Sequence, residues 1–405
     1  MNKELKDRLL ALKQEHLIDH YESLNERDKA DFLTELTKAD LDKLALAFTK
    51  ENANRDAEEI TFQDVSIKEE IFDEETYKRG LELIQNGKAA SLIMSGGMGS
   101  RLGFSGPKGA FLLVDDKSIF ELHVDKLHAI QKKTGVFPYL LIMCSDLNME
   151  TTVRFFEERA YFGYPKDKIK FFQQGNIPAC DEEYKILLED KTTLMQVPDG
   201  NGGIFDALLK SGLLAFLKAE GVKWLQVAGV DNVLLETLDP FFVGFAENSG
   251  AKLASKSVAR LKESEKVGIF ALKNGKPSVL EYTEVDEELR KVKNEKGEYL
   301  LSEANIANHL FDLSCDEFAH CLELPFHKAH KKISYFDGRS QVNPSKENAY
   351  KFEQFIFDAF RQFEKMALLR VRREDEFAPL KNKEGEDSIE TAREAYLRQR
   401  RKQTP

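Results

Sequence analysis

The sequence lacks long apolar runs, a targeting signal and an excess of positive charge, and each absence argues against a class of protein. No segment approaches the ~18 consecutive apolar residues that a membrane-spanning helix needs, so we expect no membrane partner. The N-terminus, MNKELKDRLLALKQEHL, has neither a continuous apolar region nor a small-residue cleavage site, which argues against a signal peptide. The formal net charge of -11 argues against nucleic acid as the main partner.

Cysteine is also scarce, with 4 residues in a chain of 405. The cysteines show no CxxC pair and no other metal-ligand spacing. Free thiols are typical of reducing compartments, so we expect the four to be unpaired and the protein to be cytoplasmic. They are Cys144, Cys180, Cys315 and Cys321.

Glycine is absent before Gly80, and apolar residues recur at helical spacing through the same region. We therefore predict a helical N-terminal segment over residues 1–85, with the polar stretch TKENANRDAEEITFQD as a connector. Beyond it, short apolar runs such as ASLIMSGG, FPYLLIMCSD and VKWLQVAGVDN alternate with helical patterns. This alternation predicts an α/β domain over residues 86–405, with a largely parallel sheet and ligands at the carboxyl ends of its strands. Late in the chain, FEQFIFDAFRQF predicts a helix with an aromatic face.

A glycine-rich loop follows the first of these apolar runs, in the stretch ASLIMSGGMGSRLGFSGPKGA. Its glycines permit positive φ and let a ligand approach the backbone, whose N–H groups can form a nest for anions. A Walker A loop would require Gly-Lys-Ser/Thr, whereas Lys108 here stands between Pro107 and Gly109. A dinucleotide-binding loop would carry little charge, but this one contains Arg101 and Lys108. The two cations suit a nucleoside triphosphate or its departing pyrophosphate.

The loop string GGMGSRLGFSGPKG resembles the G-G-x-G-[ST]-R-L-G-x-x-x-P-K-G signature of the UDP-sugar pyrophosphorylase (UDPGP) family, particularly its UDP-N-acetylhexosamine pyrophosphorylase branch. FFQQGNIPA, PDGNGG, GVDN, LEYTE, ANIANH, PFHKAHKKI and EFAPLKN follow in the family's order, through Asn382. The resemblance implies an α/β fold, a Rossmann-like (GT-A-like) nucleotidyltransferase with a mixed, mostly parallel sheet and a helical N-terminal segment. It also implies transfer of a uridylyl group from UTP to a sugar 1-phosphate, with pyrophosphate and Mg²⁺ as the remaining partners.

Elementary chemistry is consistent with that reaction. A sugar 1-phosphate is ionised near neutral pH, so its oxygen can attack the α-phosphorus of UTP without a general base. Two anions must nevertheless meet while charge builds on the leaving pyrophosphate, so positioning and cations carry the catalysis. None of the 8 histidines is needed as a base.

The resemblance assigns the expected site residues position by position. Arg101 and Lys108 would hold the β- and γ-phosphates, and Lys381 would neutralise the α-phosphate in the transition state. Asp231, which follows the apolar run WLQVAGV, would bind Mg²⁺, although an aspartate there is by itself more often a helix N-cap. The other assignments are Gly96, Gly97, Gly99, Gln174, Gly200 and Asn201 for the nucleotide, Glu281 and Asn305 for the sugar, and Lys351 near the phosphates.

Two strings depart from the family pattern: CSD at residues 144–146 and SEANI at residues 302–306, the second near the expected sugar pocket. N-acetylglucosamine 1-phosphate is the expected sugar, with glucose or galactose 1-phosphate as the alternative. An alternative of another class is a catalytically inactive regulatory protein that binds sugar nucleotides. Because the chain stops soon after PLKN, we expect a compact, bacterial member without the C-terminal β domain of longer relatives. The sequence leaves the oligomeric state open.

The string PFHKAHKKI forms a cationic cluster that the family shares. His327 and His330 have the i, i+3 spacing of a helix face, so metal binding is conceivable. No carboxylate or cysteine completes the ligand set within the string, so packing and phosphate-side electrostatics are the favoured interpretation.

Overall fold

The computed structural model describes residues 1–49, 59–282, 284–285, 287–293 and 297–403. Most of the predicted connector TKENANRDAEEITFQD therefore lies outside the described residues, as does Thr283 of LEYTE. No helix within the described ranges combines the length and apolar character needed to span a bilayer. All four cysteines are free thiols.

The described part of the chain contains helices and strands throughout. The α-helices are α1 (Lys3–Ala11), α2 (Glu15–Ser23), α3 (Glu26–Lys38), α4 (Leu41–Thr49), α5 (Lys68–Ile71), α6 (Glu74–Gln85), α7 (Ile119–Thr134), α8 (Met149–Glu158), α9 (Ile204–Lys210), α10 (Leu213–Ala219), α11 (Pro240–Ser249), α12 (Glu287–Lys291), α13 (Glu317–His320), α14 (Arg373–Glu376) and α15 (Ile389–Gln403). Short 3₁₀ turns span Ser100–Leu102, Lys108–Ala110, Ala160–Gly163, Lys166–Lys168, Asn201–Gly203 and Ile356–Gln362.

Most of the strands are short. They are β1 (Ile60–Thr61), β2 (Ser66–Ile67), β3 (Ala89–Ser95), β4 (Leu112–Val114), β5 (Lys117–Ser118), β6 (Leu140–Cys144), β7 (Ile169–Gln173), β8 (Asn176–Pro178), β9 (Cys180–Asp181), β10 (Gln196–Pro198), β11 (Trp224–Gly229), β12 (Leu253–Ala259), β13 (Ile269–Lys273), β14 (Lys276–Leu280), β15 (Glu303–Asp312), β16 (His327–Lys331), β17 (Tyr335–Phe336), β18 (Gln341–Val342), β19 (Ala349–Glu353) and β20 (Met366–Arg370).

The chain forms two compact units. The first, smaller unit consists of residues 1–49, 174–204 and 323–356. In it, helices α1 to α4 share one hydrophobic core with the small strands, through Leu9, Phe32, Leu44, Ile177 and Phe352. Its sheets are β16-β19-β9, β10-β8 and β17-β18. The helical N-terminal segment is thus built on apolar faces that the sequence pattern revealed.

The second, larger unit consists of residues 59–173, 205–322 and 357–403, apart from the short gaps. Its sheet runs in the order β2-β20-β12-β15-β11-β3-β6-β7, with β13, β14 and β1 attached beside β15. Along this path every strand except β15 has the same direction. The prediction of a mixed, mostly parallel sheet in an α/β fold is confirmed. A division of the chain near residue 85 stays a prediction.

Local signals explain how the second unit's helices begin and end. Ser118 caps α7 by accepting a hydrogen bond from the Glu121 N–H at 3.2 Å, and Gly135 ends it with φ of 78°. Helices α6 and α11 pack so closely that a Cβ at Gly80 would lie 1.7 Å from the Pro240 carbonyl oxygen. Glycine is therefore required at this crossing.

One predicted helix is wrong. The string FEQFIFDAFRQF forms the end of β19 and then a 3₁₀ turn over Ile356–Gln362. The aromatic residues of this string follow one another too closely to mark one face of a helix. Phe352 pairs with Lys328 of β16, so the beginning of the string belongs to a strand. The charged segment that follows PLKN forms the long helix α15.

Candidate active site

The glycine-rich loop begins where β3 ends and is folded back on itself by backbone hydrogen bonds. The Gly99 N–H donates to the Gly106 carbonyl at 2.9 Å, and the Lys108 N–H donates to the Gly97 carbonyl at 3.0 Å. A Cβ at Gly99 or Gly106 would come within 2.7 Å of the Phe104 ring. Glycine is therefore needed at these two positions, where the two halves of the loop pack against the Phe104 ring.

The two loop cations both remain available to a ligand. Arg101 is exposed and lies in the 3₁₀ turn after Gly99, while Lys108 is half-buried. The Cε atom of Lys108 would lie 4.0 Å from a Cβ at Gly97, so this side chain passes along the loop backbone. Neither cation forms an ion pair or side-chain hydrogen bond with a residue in the described ranges.

Asp231 lies at the same edge of the sheet as this loop. Strands β11 and β3 are parallel neighbours, and the Val230 N–H donates to the Met94 carbonyl at 3.1 Å. The next residue, Asp231, therefore stands beside the start of the loop, as expected for the carboxyl ends of parallel strands. Its half-buried carboxylate accepts no hydrogen bond from any residue that the structure describes.

The segment that contains PLKN docks onto the residues after β11. The Leu380 N–H donates to the Asp231 carbonyl at 2.8 Å, and the Ala378 N–H donates to Asn232 Oδ1 at 3.0 Å. Lys381 follows directly. The structure therefore brings the backbone of Lys381 next to that of Asp231, although the two residues lie far apart in sequence.

Lys381 is held by Asp387 through both backbone and side chain. Its N–H donates to the Asp387 carbonyl at 2.7 Å, and its Nζ donates to Asp387 Oδ2 at 3.1 Å. Asp387 has φ of 51°, a left-handed conformation that is uncommon for residues other than glycine. The ion pair is partly exposed, so a phosphate oxygen can replace the carboxylate as acceptor.

A cluster of buried charged side chains holds the segment that contains PLKN in place. Lys256 Nζ donates to Asp239 Oδ2 at 2.7 Å and also to Glu376, and Lys68 Nζ contacts the same two carboxylates at 2.7 and 3.0 Å. Burial alone would raise the pKa of Asp239, but the charges of Lys256 and Lys68 outweigh it and hold that pKa below its ordinary value. The Glu376 carbonyl accepts a hydrogen bond from Asn232 Nδ2 at 2.8 Å, which ties the cluster to the site.

Asn148 supports the loop, and the sequence analysis missed it. Its buried side chain donates through Nδ2 to the Ser95 carbonyl at 2.9 Å and to the Gly97 carbonyl at 3.4 Å. Its Oδ1 accepts from the Ser145 N–H at 2.9 Å. The available signal was the asparagine three residues after Ser145 at a strand end, a spacing typical of local side-chain-to-backbone bonds.

The two predicted sugar-binding residues lie on either side of Gly268. The Asn305 N–H donates to the Gly268 carbonyl at 2.8 Å, and Glu281 Oε1 would lie 3.3 Å from a Cβ at Gly268. Asn305 Oδ1 accepts from the Ala307 N–H at 2.8 Å, which fixes the orientation of its amide. The structure thus places both residues next to Gly268, Glu281 through its side chain and Asn305 through its backbone.

The departure from the family pattern at Glu303 has a structural explanation. This buried carboxylate accepts hydrogen bonds from Ser257 Oγ at 2.6 Å and from Arg370 Nε at 3.0 Å. The hydrogen bonds to Glu303 raise the pKa of Arg370. Glu303 is therefore engaged with Arg370 and Ser257, and the departure leaves Asn305 in place.

In the first unit, Gln174 and the turn at Gly200 are joined directly. Gln174 Nε2 donates to the Gly200 carbonyl at 2.8 Å and to Asp199 Oδ1 at 3.3 Å. Gly200 has φ of 87°, and its backbone lies against Gln354, so a side chain would be excluded there. Asn201 is exposed, and its Oδ1 accepts from the Ile356 N–H at 3.0 Å. Gln174 therefore keeps its carboxamide oxygen, and Asn201 its amide nitrogen, for a ligand.

Lys351 lies in the first unit, on β19 opposite Ala329 of β16. It is half-buried and forms no ion pair with the residues that the structure covers. Nothing in the geometry of its own unit ties it to a phosphate, so its role remains an expectation.

The helical interpretation of the histidine string is wrong. His327 and His330 lie on β16, where residues three apart point to opposite faces. His330 Nε2 lies 3.0 Å from Glu182 Oε1, and His327 packs against the Phe355 ring with centroids 4.8 Å apart. Across the described ranges, no three His, Cys, Asp or Glu side chains are grouped as a metal site. A metal ion at Asp231 would therefore need ligands from water and substrate.

Comparison with known proteins gives a consistent result. A family model described as UTP–glucose-1-phosphate uridylyltransferase matches residues 31–399. The chain is 37% identical to a UDP-N-acetylglucosamine pyrophosphorylase of Saccharomyces cerevisiae, over 95% of this chain and 87% of that protein. A probable UDP-N-acetylglucosamine pyrophosphorylase of Schizosaccharomyces pombe is 36% identical, over 96% of this chain and 88% of its own length.

Solved structures are similar as well. A putative UDP-N-acetylglucosamine pyrophosphorylase from Entamoeba histolytica superposes with a TM-score of 0.77 at 32% identity, covering 84% of this chain and 88% of that one. The uridine diphosphate N-acetylglucosamine pyrophosphorylase from Trypanosoma brucei, solved with an inhibitor, gives a TM-score of 0.79 at 28% identity, covering 97% and 84%.

Proposed function

This chain belongs to the UTP–glucose-1-phosphate uridylyltransferase family, and we propose that it transfers the uridylyl group of UTP to N-acetylglucosamine 1-phosphate with release of pyrophosphate. The observation that carries this proposal is the hydrogen bond from the Leu380 N–H to the Asp231 carbonyl. This hydrogen bond places the backbones of Asp231 and Lys381 side by side, next to the strand after which the cationic loop begins. The sugar is the one named for the relatives that match along most of the chain.

In the proposed reaction the sugar phosphate oxygen attacks the α-phosphorus of UTP, a P–O bond forms, and the bond to the pyrophosphate oxygen breaks. Arg101 and Lys108 bind the departing phosphates, Arg101 with a bidentate fork and Lys108 as a point charge. Lys381 leaves Asp387 and stabilises charge on the α-phosphate. No proton needs to be removed from the nucleophile, so no base is assigned.

The divalent ion fits at Asp231. Mg²⁺ takes one or two protein carboxylates and keeps water and phosphate ligands, and the Asp231 carboxylate has no partner among the described residues. When bound, Mg²⁺ would supply charge neutralisation for the phosphates. Asp231 would hold it, and the contact with Leu380 keeps the backbone of Asp231 beside that of Lys381.

Uracil recognition is assigned to Gln174, Gly200 and Asn201. Uracil offers one N–H donor between two carbonyl acceptors. The carboxamide oxygen of Gln174 can accept from that N–H, because its nitrogen is already engaged with Gly200. The amide nitrogen of Asn201 can donate to a carbonyl, because its oxygen already accepts from Ile356. Glu281 and Asn305 are assigned to the sugar hydroxyl and acetamido groups.

The test is product analysis with a panel of sugar 1-phosphates, UTP and Mg²⁺. We expect pyrophosphate and UDP-N-acetylglucosamine, with the highest kcat/KM for N-acetylglucosamine 1-phosphate. A higher kcat/KM for glucose or galactose 1-phosphate would reassign the sugar. UTP binding without any pyrophosphate release would favour the regulatory alternative.

A further inference from the structure

Helix α4 of the first unit contains a lysine that is almost completely buried. Lys43 is 7% exposed, and its Nζ donates to Asp199 Oδ2 at 2.5 Å. Asp199 is fully buried, so water does not screen this ion pair. Lys43→Met would take this cation away from a fully buried carboxylate, and the loss of one member of a buried ion pair is among the costlier changes in a protein.

Asp199 is the point at which the proposed uracil-binding residues are joined. Its Oδ1 accepts from Gln174 Nε2 at 3.3 Å, and its N–H donates to the Gly175 carbonyl at 3.1 Å. A Cβ at Gly175 or Gly203 would lie 2.4 or 2.2 Å from the carboxylate oxygens, so both glycines pack directly on it. The Gln354 N–H donates to the Asp199 carbonyl at 2.7 Å.

These contacts form a continuous connection from helix α4 to the residues proposed to bind the nucleotide base. Lys43 orients the carboxylate of Asp199, and Asp199 orients the Gln174 carboxamide. The turn at Gly200 receives the other hydrogen bond of that carboxamide. The oxygen of Gln174 that would accept from uracil is thereby fixed by a residue of α4.

We propose that Lys43 is a positioning residue for uridine recognition, acting through Asp199 on Gln174 and the turn at Gly200. The inference rests on the proposed function, because it assumes that these residues bind uracil. It gives the N-terminal helical segment a part in substrate selection that neither the family motifs nor the relatives' names assign. Lys43 itself touches no reacting atom.

The experiment compares Lys43→Met with Lys6→Met, an exposed lysine on α1. In Lys43→Met we expect KM for UTP to rise about tenfold, while kcat and KM for the sugar phosphate stay within about twofold. Lys6→Met should match the wild type. A purely structural role would instead lower the amount of active protein, and so kcat, without changing KM for UTP.

A double variant shows whether the effect of Lys43→Met on KM for UTP comes from the lost charge or from altered packing. In Lys43→Met with Asp199→Asn both members of this ion pair are neutral, and the asparagine oxygen can still accept from Gln174. We expect its KM for UTP to lie closer to the wild-type value than that of Lys43→Met alone. Asp199→Asn is also measured alone, and a double variant whose change in KM is the product of the two single changes would overturn the inference.

Direct measurement of UTP binding tests the role of Lys43 separately from the proposed function. Calorimetry with UTP needs no turnover, so it can be applied to folded wild type and variants at a temperature below their melting transitions. Equal UTP affinity in wild type and folded Lys43→Met overturns the inference while leaving the proposed function intact. A wild-type protein that neither binds UTP nor releases pyrophosphate contradicts the proposed function, and the inference with it.

Discussion

The N–H of Leu380 donates to the carbonyl oxygen of Asp231 at 2.8 Å, and this contact joins two motifs from distant parts of the chain. GVDN ends a central strand, whereas PLKN follows the last strand of the sheet and a short helix. The contact involves backbone atoms only, so it fixes where Asp231 and Lys381 stand without occupying either side chain. The Asp231 carboxylate has no partner among the described residues, and the Lys381 ammonium becomes available to a phosphate when its ion pair with Asp387 opens.

Asp231→Ala should abolish Mg²⁺-dependent pyrophosphate release, because the proposed metal ligand is lost. The fold should persist, because the Leu380 contact uses the backbone carbonyl and the removed carboxylate has no partner in the described ranges. Turnover and thermal melting are measured together, with the exposed Asp167→Ala as control. Unchanged turnover in Asp231→Ala would reject the metal assignment.

Lys381→Ala should lower kcat far more than it changes the affinity for UTP. The expected loss is about 2–4 kcal/mol of transition-state stabilisation, the range for a missing charge-stabilising donor. Steady-state kinetics with UTP as the varied substrate gives both parameters, and the exposed Lys276→Ala serves as control. If only KM rises, Lys381 binds substrate but does not stabilise the transition state.

Asn148→Asp should impair the glycine-rich loop while leaving the local turn at Ser145. The aspartate can still accept from the Ser145 N–H, but it cannot donate to the Ser95 and Gly97 carbonyls. We expect a loss of about 1–3 kcal/mol in the free energy of unfolding and a higher KM for UTP. The matched control is Asn248→Asp, at an exposed side chain. Equal behaviour of the two variants would show that Asn148 does not support the loop.

His309 should make folding stability fall in mild acid. Burial lowers the pKa of this histidine from 6.5 to about 3, so the folded protein keeps it neutral while the unfolded chain binds a proton. Above pH 6.5 His309 is neutral in both states and does not reduce the free energy of unfolding. As pH falls from 6.5 toward 3, the unfolded chain binds the proton first, so the free energy of unfolding decreases, by about 2 kcal/mol near pH 5.

Denaturant unfolding of His309→Gln at several pH values checks this expectation. The variant should be less stable than the wild type at neutral pH, because His309 is buried and contacts Ser255 Oγ at 2.9 Å. The difference should shrink as pH falls, because the variant lacks the titrating group. His320→Gln, at an exposed histidine, should follow the wild type at every pH. A constant difference between His309→Gln and wild type would contradict the assignment.

Much of the fold was predictable because its signals are local. The strands β3, β6 and β11 follow directly from the apolar runs of the sequence, as does the position of the glycine-rich loop after the first of them. Non-local pairing was not predictable. The antiparallel insertion of β15 into the sheet and the pairing of β16 with β19 depend on residues far apart in sequence. The second of these pairings is the reason that the helical interpretation of the histidine string is wrong.

In the candidate site too, some residues could be predicted from the sequence and others could not. Residue types and the resemblance to the family suggested Arg101, Asp231 and Lys381 as site residues, because their charges suit phosphates and a divalent ion, and these roles stay predictions. The bond of Asn148 to the Ser145 N–H had a local signal, but its bonds to the Ser95 and Gly97 carbonyls did not. The contacts of Asp387 and Lys43 could not be predicted either, since they depend on a backbone conformation or a partner that only the folded chain provides. The sequence alone does not show which of Gln174 and Asn201 contributes more to uracil binding. Their hydrogen bonds leave the carboxamide oxygen of Gln174 and the amide nitrogen of Asn201 available to a ligand.

The most direct test is a crystal structure of the protein with Mg²⁺ and a non-hydrolysable UTP analogue. The account predicts the metal ion on the carboxylate of Asp231, with Arg101 and Lys381 within hydrogen-bond distance of phosphate oxygens and the Lys381–Asp387 pair opened. A triphosphate bound away from all three side chains, with Asp231 free of metal, would contradict the account.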